Sequence, residues 1–187
     1  MKKIVDEAVE VIKQGGVILY PTDTIWGLGC DPNNKEALAK IDAIKKRISG
    51  KSYLLLINSE RQLNNHVRDI PEVCYDLIDY ANKPLTIIYP SGRNIHHSAT
   101  AEDGSIGIRM IKKPDYLNIL LTKLKHGLIS TSANISGEQF PKSFDEIAKS
   151  IRDEVDYIVD PNLEIKSTQP SQIIKIGANS EVTIIRK

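Results

Sequence analysis

Aromatic side chains make up only 5% of the 187 residues, and cysteine occurs twice, at Cys30 and Cys74. So few aromatics count against RNA recognition as the main function, because RNA modules stack bases on aromatic rings. The two cysteines form no C-x-x-C pair and show no metal-ligand spacing, which excludes a disulfide scaffold and fits a reducing, cytoplasmic setting. Charge of one sign is also missing. The net charge is +1, which excludes a broadly basic surface. No apolar run approaches the ~20 residues that span a bilayer, so no membrane partner is expected. The opening Met1-Lys2-Lys3 is basic, but Asp6, Glu7 and Glu10 interrupt the apolar residues after it, so it does not read as a signal peptide. His66, His96, His97 and His126 are scattered, which suits solvated or loop positions and no metal site. No Ser-His-Asp, Cys-His or H-E-x-x-H arrangement is present, so neither a nucleophile nor an acid–base residue is assigned.

What is there is ordinary for a globular chain: 41% hydrophobic and 26% charged residues, with no internal repeat, low-complexity tract or linker. The length suits one domain over residues 1–187. Ile4, Ala8, Val11 and Ile12 recur at helical spacing until Gly15-Gly16 stops them. Val17 to Tyr20 reads as a strand. Asn33 or Asn34 caps a second helix whose apolar stripe is Ala37, Ile41, Ile44 and Ile48. Further strands are expected at 53–57, 85–89, 106–110, 128–130, 157–159, 172–176 and 182–185. Helices are expected at 71–80, 116–124 and 144–151, the last capped by Ser143. The stretch from Arg93 to Asp103 lacks periodicity and suggests a loop over a site. Strands and helices intermix without strict alternation, which predicts an α/β fold with a twisted mixed sheet and flanking helices.

Three segments carry chemistry. The first is Tyr20-Pro21-Thr22-Asp23-Thr24-Ile25-Trp26-Gly27-Leu28-Gly29, an apolar strand opening into hydroxyls and a carboxylate. Its threonines and aspartate are short, rigid donors and acceptors, and Gly27 and Gly29 would let the backbone approach a ligand. Read alone, it is equally a strand-capping turn. The second is Lys45, Arg47 and Lys51 at a helix end, which suit phosphate binding or simply complement the helix dipole. Ser49-Gly50-Lys51-Ser52 is not a P-loop: position 45 is lysine where glycine is required, and the segment leaves a helix and enters a strand. The third is Ser130 to Gly137, where Ser132 and Asn134 are neutral donors suited to phosphate or ribose oxygens, or to a turn. Gly107-Ile108-Arg109 adds one arginine at a strand end, suited to a carboxylate.

Taken in order, P-T-D-T-x-x-G-L-G, K-x-R with its further lysine, G-I-R, T-S-A-N-x-S-G and a late Pro170-Ser171 resemble the threonylcarbamoyl-adenylate synthase (YrdC-like) family. The resemblance runs from about Val17 to Arg186, and it implies a short form without the C-terminal domain of longer members. It implies a nucleotidyltransferase that makes threonylcarbamoyl-AMP and pyrophosphate from L-threonine, bicarbonate and ATP, for tRNA threonylcarbamoyladenosine modification. Magnesium is expected with the ATP, and tRNA or tRNA-modification proteins are expected to receive the product. It also implies ATP contacts at Lys45, Arg47, Lys51, Ser105, Asn134 and Arg186, and threonine contacts at Thr24, Arg109, Ser132 and Ser171.

Three positions depart from the family pattern. Leu56 stands where the family often has a histidine near the amino acid, Asn82-Lys83-Pro84 replaces Pro-Gly-Pro, and Ile111 replaces the proline of R-x-P. Either Lys142 or Ser143 falls where the family has a hydroxyl near the nucleotide. The rival reading is a double-stranded RNA or tRNA-binding module using the Lys45–Lys51 cations, against which charge and composition speak. A carbamoyl-adenylate domain of a hydrogenase-maturation protein is a third, and the chain lacks its zinc-finger and acylphosphatase segments.

Overall fold

Helix α1 (Lys2–Lys13) forms where the spacing predicts, but its buried stripe is Val5, Ala8, Val9 and Ile12, while the expected Ile4 and Val11 are only partly buried at its edges. Gly15 ends it with φ +85°, a left-handed conformation that favours glycine, while Gly16 N–H donates to Val11 O. In the computed structural model, residues 1–47, 52–113, 115–163, 169–177 and 179–187 are described. Of the two candidate caps for α2 (Lys35–Lys45), Asn34 is the one used: its side chain accepts from Ala37 N–H at 2.8 Å. The expected stripe residue Ile48 lies outside the described residues.

Helix α3 (Glu60–His66) has no counterpart among the expected elements. Ser59 caps it and Gln62 Oε1 reaches back to Asn58 N–H at 2.9 Å, a variant of the capping box. Helices α4 (Glu72–Tyr80) and α5 (Tyr116–Leu124) lie where the spacing predicts. The helix expected at 144–151 is divided. Phe144–Glu146 is a single 3-10 turn, Ile147 and Ala148 are extended, and α6 covers Lys149–Glu154. Phe144 packs on Trp26, with ring centroids 5.2 Å apart, and Ile147 is buried in the same core. Holding both requires an extended link, and Ser143 makes no side-chain cap.

The strands are β1 (Ile18–Pro21), β2 (Trp26–Cys30), β3 (Leu54–Ile57), β4 (Leu85–Tyr89), β5 (Ile106–Met110), β6 (Leu128–Ser132), β7 (Tyr157–Ile158), β8 (Gln172–Ile176) and β9 (Val182–Arg186). They form one sheet in the order β7-β1-β2-β6-β3-β5-β4-β8-β9. The pairs β1/β7, β3/β5 and β4/β8 are parallel and the others antiparallel, so the sheet is mixed as expected.

One face carries Leu19, Leu28, Leu55, Ile57, Ile87, Ile108 and Ile129 into a core with Leu38 and Ile41 of α2, Cys74 of α4 and Ile151 of α6. On the other face, Ile18, Tyr20, Leu56 and Leu128 pack with the apolar stripes of α1 and α5. Helices α1 and α5 reach only part of that face, and the rest stays open towards β4, β8 and β9. The segment from Arg93 to Asp103 does not lie over this opening. Its backbone is tied to Pro32 and Tyr53, and none of its residues lines the cavity of the open face.

His66 overturns the expectation of solvated histidines. It is fully buried, accepts from Gly127 N–H at Nε2 (3.0 Å) and turns Nδ1 to Arg93 O at 3.3 Å. Burial pulls its imidazole from 6.5 down to about 4. The unfolded chain therefore takes up this proton first as pH falls. The stabilisation is complete above about pH 6.5 and is lost progressively towards pH 4, on the order of 3 kcal/mol in all. Asp6, Asp103 and Asp156 are held below 3.8, so their contributions fade only at lower pH. Denaturant titrations between pH 7 and 4.5 should show this loss, and His66→Gln should flatten it. Equal slopes in the two proteins would show that His66 is not the group responsible.

Candidate active site

Sheet register places two rows of side chains on the open face. One crosses Gly29, Ser130, Leu54, Gly107 and Ile88. The other crosses Leu56, Arg109, Thr86, Ile173 and Arg186. Small residues in the first row leave space above the strands: a Cβ added at Gly107 would stand 3.3 Å from Thr86 Cγ2. The result is a cavity of about 530 Å³ whose wall includes Thr22, Thr24, Trp26, Gly27, Tyr53, Phe140 and Pro170 besides the row residues other than Gly29 and Leu56. That size is usual for a small-molecule site.

Five of the sequence-predicted residues meet here: Thr24, Arg109, Ser132, Ser171 and Arg186 all line the cavity. Thr22 Oγ1 organises the turn before β2. It donates to Ile25 O at 2.7 Å and accepts from Thr24 N–H, and it lies 2.9 Å from Thr24 Oγ1. With its proton committed to Ile25, Thr22 leaves Thr24 as the donor between the two hydroxyls, and Thr24 lines the cavity. Ser171 Oγ shares a 2.7 Å bond with Thr86 Oγ1, and Arg186 Nε donates to Ser171 O at 2.9 Å. Arg186 thus stands with Ser171 and Arg109, at the end of the cavity where threonine contacts were expected. Burial first, then the charge of Arg109, lowers the pKa of Arg186 from its ordinary value.

Arg109 is buried and its NH2 lies 2.9 Å from Asp23 Oδ1. The approach is off the direction of a hydrogen bond. Arg109 Nε and Asp23 Oδ1 are both buried without a hydrogen-bond partner among the described residues. Asp23 lines a smaller cavity of about 170 Å³ on the other side, with Lys83, Lys112 and Lys113. The ion pair is therefore the partition between two cavities.

The remaining predicted residues that are described stand outside the lining. Lys45 is buried, and its ammonium donates to Ser132 O and, at 2.7 Å, to Asn134 O. Asn134 accepts from Ser132 Oγ and donates to Glu138 O, so these two residues fix the loop after β6. Arg47 donates to Ser52 O at 2.7 Å and lies over the Tyr53 ring, 4.1 Å from its centroid. Ser105 N–H and hydroxyl serve Asp103 at the turn into β5. Lys51 lies outside the described residues. Lys142 gives its backbone N–H to Glu146, and neither it nor Ser143 lines the cavity. Leu56, at the expected histidine position, is fully buried in the core under α5 and does not reach the cavity wall. Of the two glycines expected to admit a ligand, only Gly27 lines the cavity. Gly29 faces Tyr20 and Ile129.

Several wall residues were not singled out from the sequence. Ser130 accepts from the Tyr20 phenol at 2.7 Å, and burial raises that phenol's pKa, so it keeps its proton and its role as donor. Thr86 enters the site only because β4 pairs with β5 and sets it opposite Arg109.

Comparison with known proteins places this arrangement. The family described as telomere recombination (Sua5/YciO/YrdC) matches residues 10–187. The threonylcarbamoyl-AMP synthase of Pseudoalteromonas translucida (strain TAC 125) is 34% identical over 178 residues, 94% of each chain. Among solved structures, E. coli YciO superposes with a TM-score of 0.84 at 24% identity, over 100% of this chain and 90% of that one. P. abyssi Sua5 complexed with L-threonine gives 0.82 at 24% identity, over 91% of this chain and 50% of that one. These two likenesses are of fold, whereas the family match spans nearly the whole sequence, glycine turns, cavity strands and C-terminal arginine included. The chain belongs to the Sua5/YciO/YrdC family.

Proposed function

We propose that this protein is a threonylcarbamoyl-AMP synthase, as its curated relatives are named. The observation that carries this reading is a buried arginine with an unpartnered Nε, Arg109, in the wall of a hydroxyl-lined cavity. A carboxylate is the natural partner for such a group. The threonine held by P. abyssi Sua5 supports an amino acid as the ligand. Arg109 takes the threonine carboxylate, with Thr24, Ser132 and Ser171 around the amino acid. Lys45, Arg47, Lys51, Ser105, Asn134 and Arg186 serve the ATP, with Lys45 and Asn134 acting through the loop they fix.

The chemistry needs little from the protein beyond position. The threonine nitrogen forms a bond to the carbon of bicarbonate, water leaves, and the resulting carbamate oxygen attacks the α-phosphate while the bond to pyrophosphate breaks. Cationic and hydroxyl groups that hold two anions in line lower the barrier by orientation and charge neutralisation. Among the described residues, no group of three His, Cys, Asp or Glu side chains comes together to hold a metal. Magnesium is proposed to arrive on the ATP, where it would spread charge away from the phosphates. The product would be consumed in tRNA modification, in the cytoplasm. Direct RNA binding by the helix-end cations is disfavoured, since Lys45 and Arg47 both donate to internal carbonyls.

Pyrophosphate release from ATP should depend on both threonine and bicarbonate. Equal turnover with either one omitted would overturn the synthase reading and leave an ATPase or a binding protein.

A further inference from the structure

The Ser130 hydroxyl carries a proton that no protein group takes. Its oxygen accepts from the Tyr20 phenol at 2.7 Å, and among the described residues it makes no other hydrogen bond. Ser130 is 4% exposed and lines the cavity, so its O–H is a buried donor whose acceptor has to come from what fills that cavity. Gly27 keeps the approach clear: a Cβ there would stand 3.2 Å from Ser130 Oγ. The charges of Arg109 and Asp23 both act on the Tyr20 phenol, which places the pair beside the amino-acid end. Register puts Leu128 of β6 level with Leu56 and Arg109, and Ser130 one same-face step further on. Another such step reaches Ser132, whose carbonyl Lys45 holds. Ser130 therefore lies between the proposed carboxylate receptor and the loop proposed to serve ATP.

We propose that Ser130 is the hydrogen-bond donor to the third reactant, holding one oxygen of bicarbonate and then of the carbamate formed on threonine. The proposal rests on the synthase reading. With the threonine carboxylate on Arg109, the amino nitrogen is fixed beside it, and the carboxyl group added to that nitrogen falls in the same part of the cavity. As the N–C bond forms and water leaves, the oxygen on Ser130 is one of the two retained. A neutral donor suits the step that follows. The carbamate must keep its other oxygen nucleophilic towards the α-phosphate. A cation at this place would bind the group more tightly but stabilise the ground state along with it. Ser130 keeps its own proton throughout. Tyr20 is its positioning residue: by filling a lone pair of Ser130 Oγ, the phenol turns the serine proton away from itself and leaves it for the ligand.

Turnover of the full chain in bicarbonate-depleted buffer, with bicarbonate added back, tests this. Ser130→Ala should raise the KM for bicarbonate at least about tenfold, the scale of one hydrogen bond to a charged group. Threonine affinity, measured by calorimetry without bicarbonate, should be unchanged. Tyr20→Phe keeps the serine but frees its rotation, and should raise the same KM by less. A merely structural role would move threonine affinity together with the bicarbonate KM. An unchanged bicarbonate KM in Ser130→Ala overturns the proposal. A loss of threonine affinity of the same size also overturns it, and would put the hydroxyl on the amino acid. Should Ser130→Ala fold poorly because the phenol loses its acceptor, combining it with Tyr20→Phe removes both polar groups and carries the same expected rise. NMR of isotope-labelled bicarbonate, with threonine and without ATP, needs no turnover: the wild type should broaden the signal and Ser130→Ala should not. That contrast in a protein without threonine-dependent pyrophosphate release would remove the synthase reading and leave the bicarbonate site standing. Neither broadening nor turnover in the wild type would remove both.

Discussion

Replacing Arg109 by methionine is expected to abolish threonine-dependent pyrophosphate release and to cost about 3 kcal/mol of folding stability, the lower end of what breaking a buried ion pair costs. The loss of function comes from position. Arg109 lines the cavity, and its buried guanidinium is the group there suited to a carboxylate. The loss of stability comes from the carboxylate left behind. Asp23 Oδ1 is already buried without a hydrogen bond, and without Arg109 it would keep its desolvation and lose its counter-charge. The 13% exposure of the Asp23 side chain is why the lower figure applies. Methionine keeps the length and packing of the side chain, so the effect can be assigned to charge. Combining Arg109→Met with Asp23→Leu removes both partners and should recover most of the stability while activity stays absent. A denaturant titration of the single and double variants measures the coupling directly. Purely additive effects on stability, or threonine-dependent turnover in either variant, would refute this account of the pair.

Much of this architecture is legible in the sequence where β-branched and apolar residues cluster and ends are marked. The runs 85–89, 106–110 and 172–176 are rich in isoleucine and follow Pro84, Ser105 and Ser171, and each strand has the expected limits. Helix α5 starts at Asp115, which accepts from two backbone N–H groups, and ends at Lys125 in the left-handed conformation. Strand β2 is not legible in this way. Trp-Gly-Leu-Gly-Cys has the composition of a loop, and its strand character comes from packing. A Cβ on Gly29 would lie 2.8 Å from the Tyr20 ring and 2.9 Å from Ile129 O, so glycine there lets an aromatic from β1 cross the strand. Helix α3 escaped because its seven residues bury only Gln62, Leu63 and His66, too few for a periodic stripe.

The site shows the same division. Motif residues such as Thr24, Arg109 and Ser171 could be marked from the chain alone, and they do meet. Their arrangement depends on register across β5, β4, β8 and β9, which brings Arg109, Thr86, Ile173 and Arg186 into one row from distant segments. No local pattern encodes that row. The sequence is equally silent on how a cation is used. Lys45 has the look of a phosphate ligand, yet its ammonium holds the oxygens of Ser132 and Asn134. A lysine's three donors find the nearest carbonyls, and only the folded β6 loop decides which those are.

Selection of threonine over valine should depend on Thr24, and Thr24→Val should reduce that preference by about tenfold or more. Arg109 cannot discriminate, because every amino acid offers it the same carboxylate. The side-chain pocket must supply the difference, and a site that bonds a substrate hydroxyl rejects an analogue lacking it, since a buried polar group is then left unpaired. Thr24 is 2% exposed, lines the cavity, and has its proton directed to Thr22, so its oxygen is available to accept from a substrate hydroxyl. Leu56 adds no polar contact, because it is packed in the core under α5. Valine at position 24 keeps the shape of threonine. The turn should survive too, because Thr22 Oγ1 still donates to Ile25 O and accepts from the backbone N–H of residue 24. Removing one buried hydrogen bond changes affinity by about 1.5 kcal/mol, which is the tenfold expected. Serine, by contrast, keeps the hydroxyl and loses only a methyl contact, so its disadvantage of roughly 1–3 kcal/mol should be unchanged by the substitution. Competition binding of threonine, valine and serine to the two proteins separates these effects. An unchanged threonine-to-valine ratio in Thr24→Val would place the discriminating bond on another group, such as Thr86, Ser130 or Ser171, which are also buried hydroxyls of the wall.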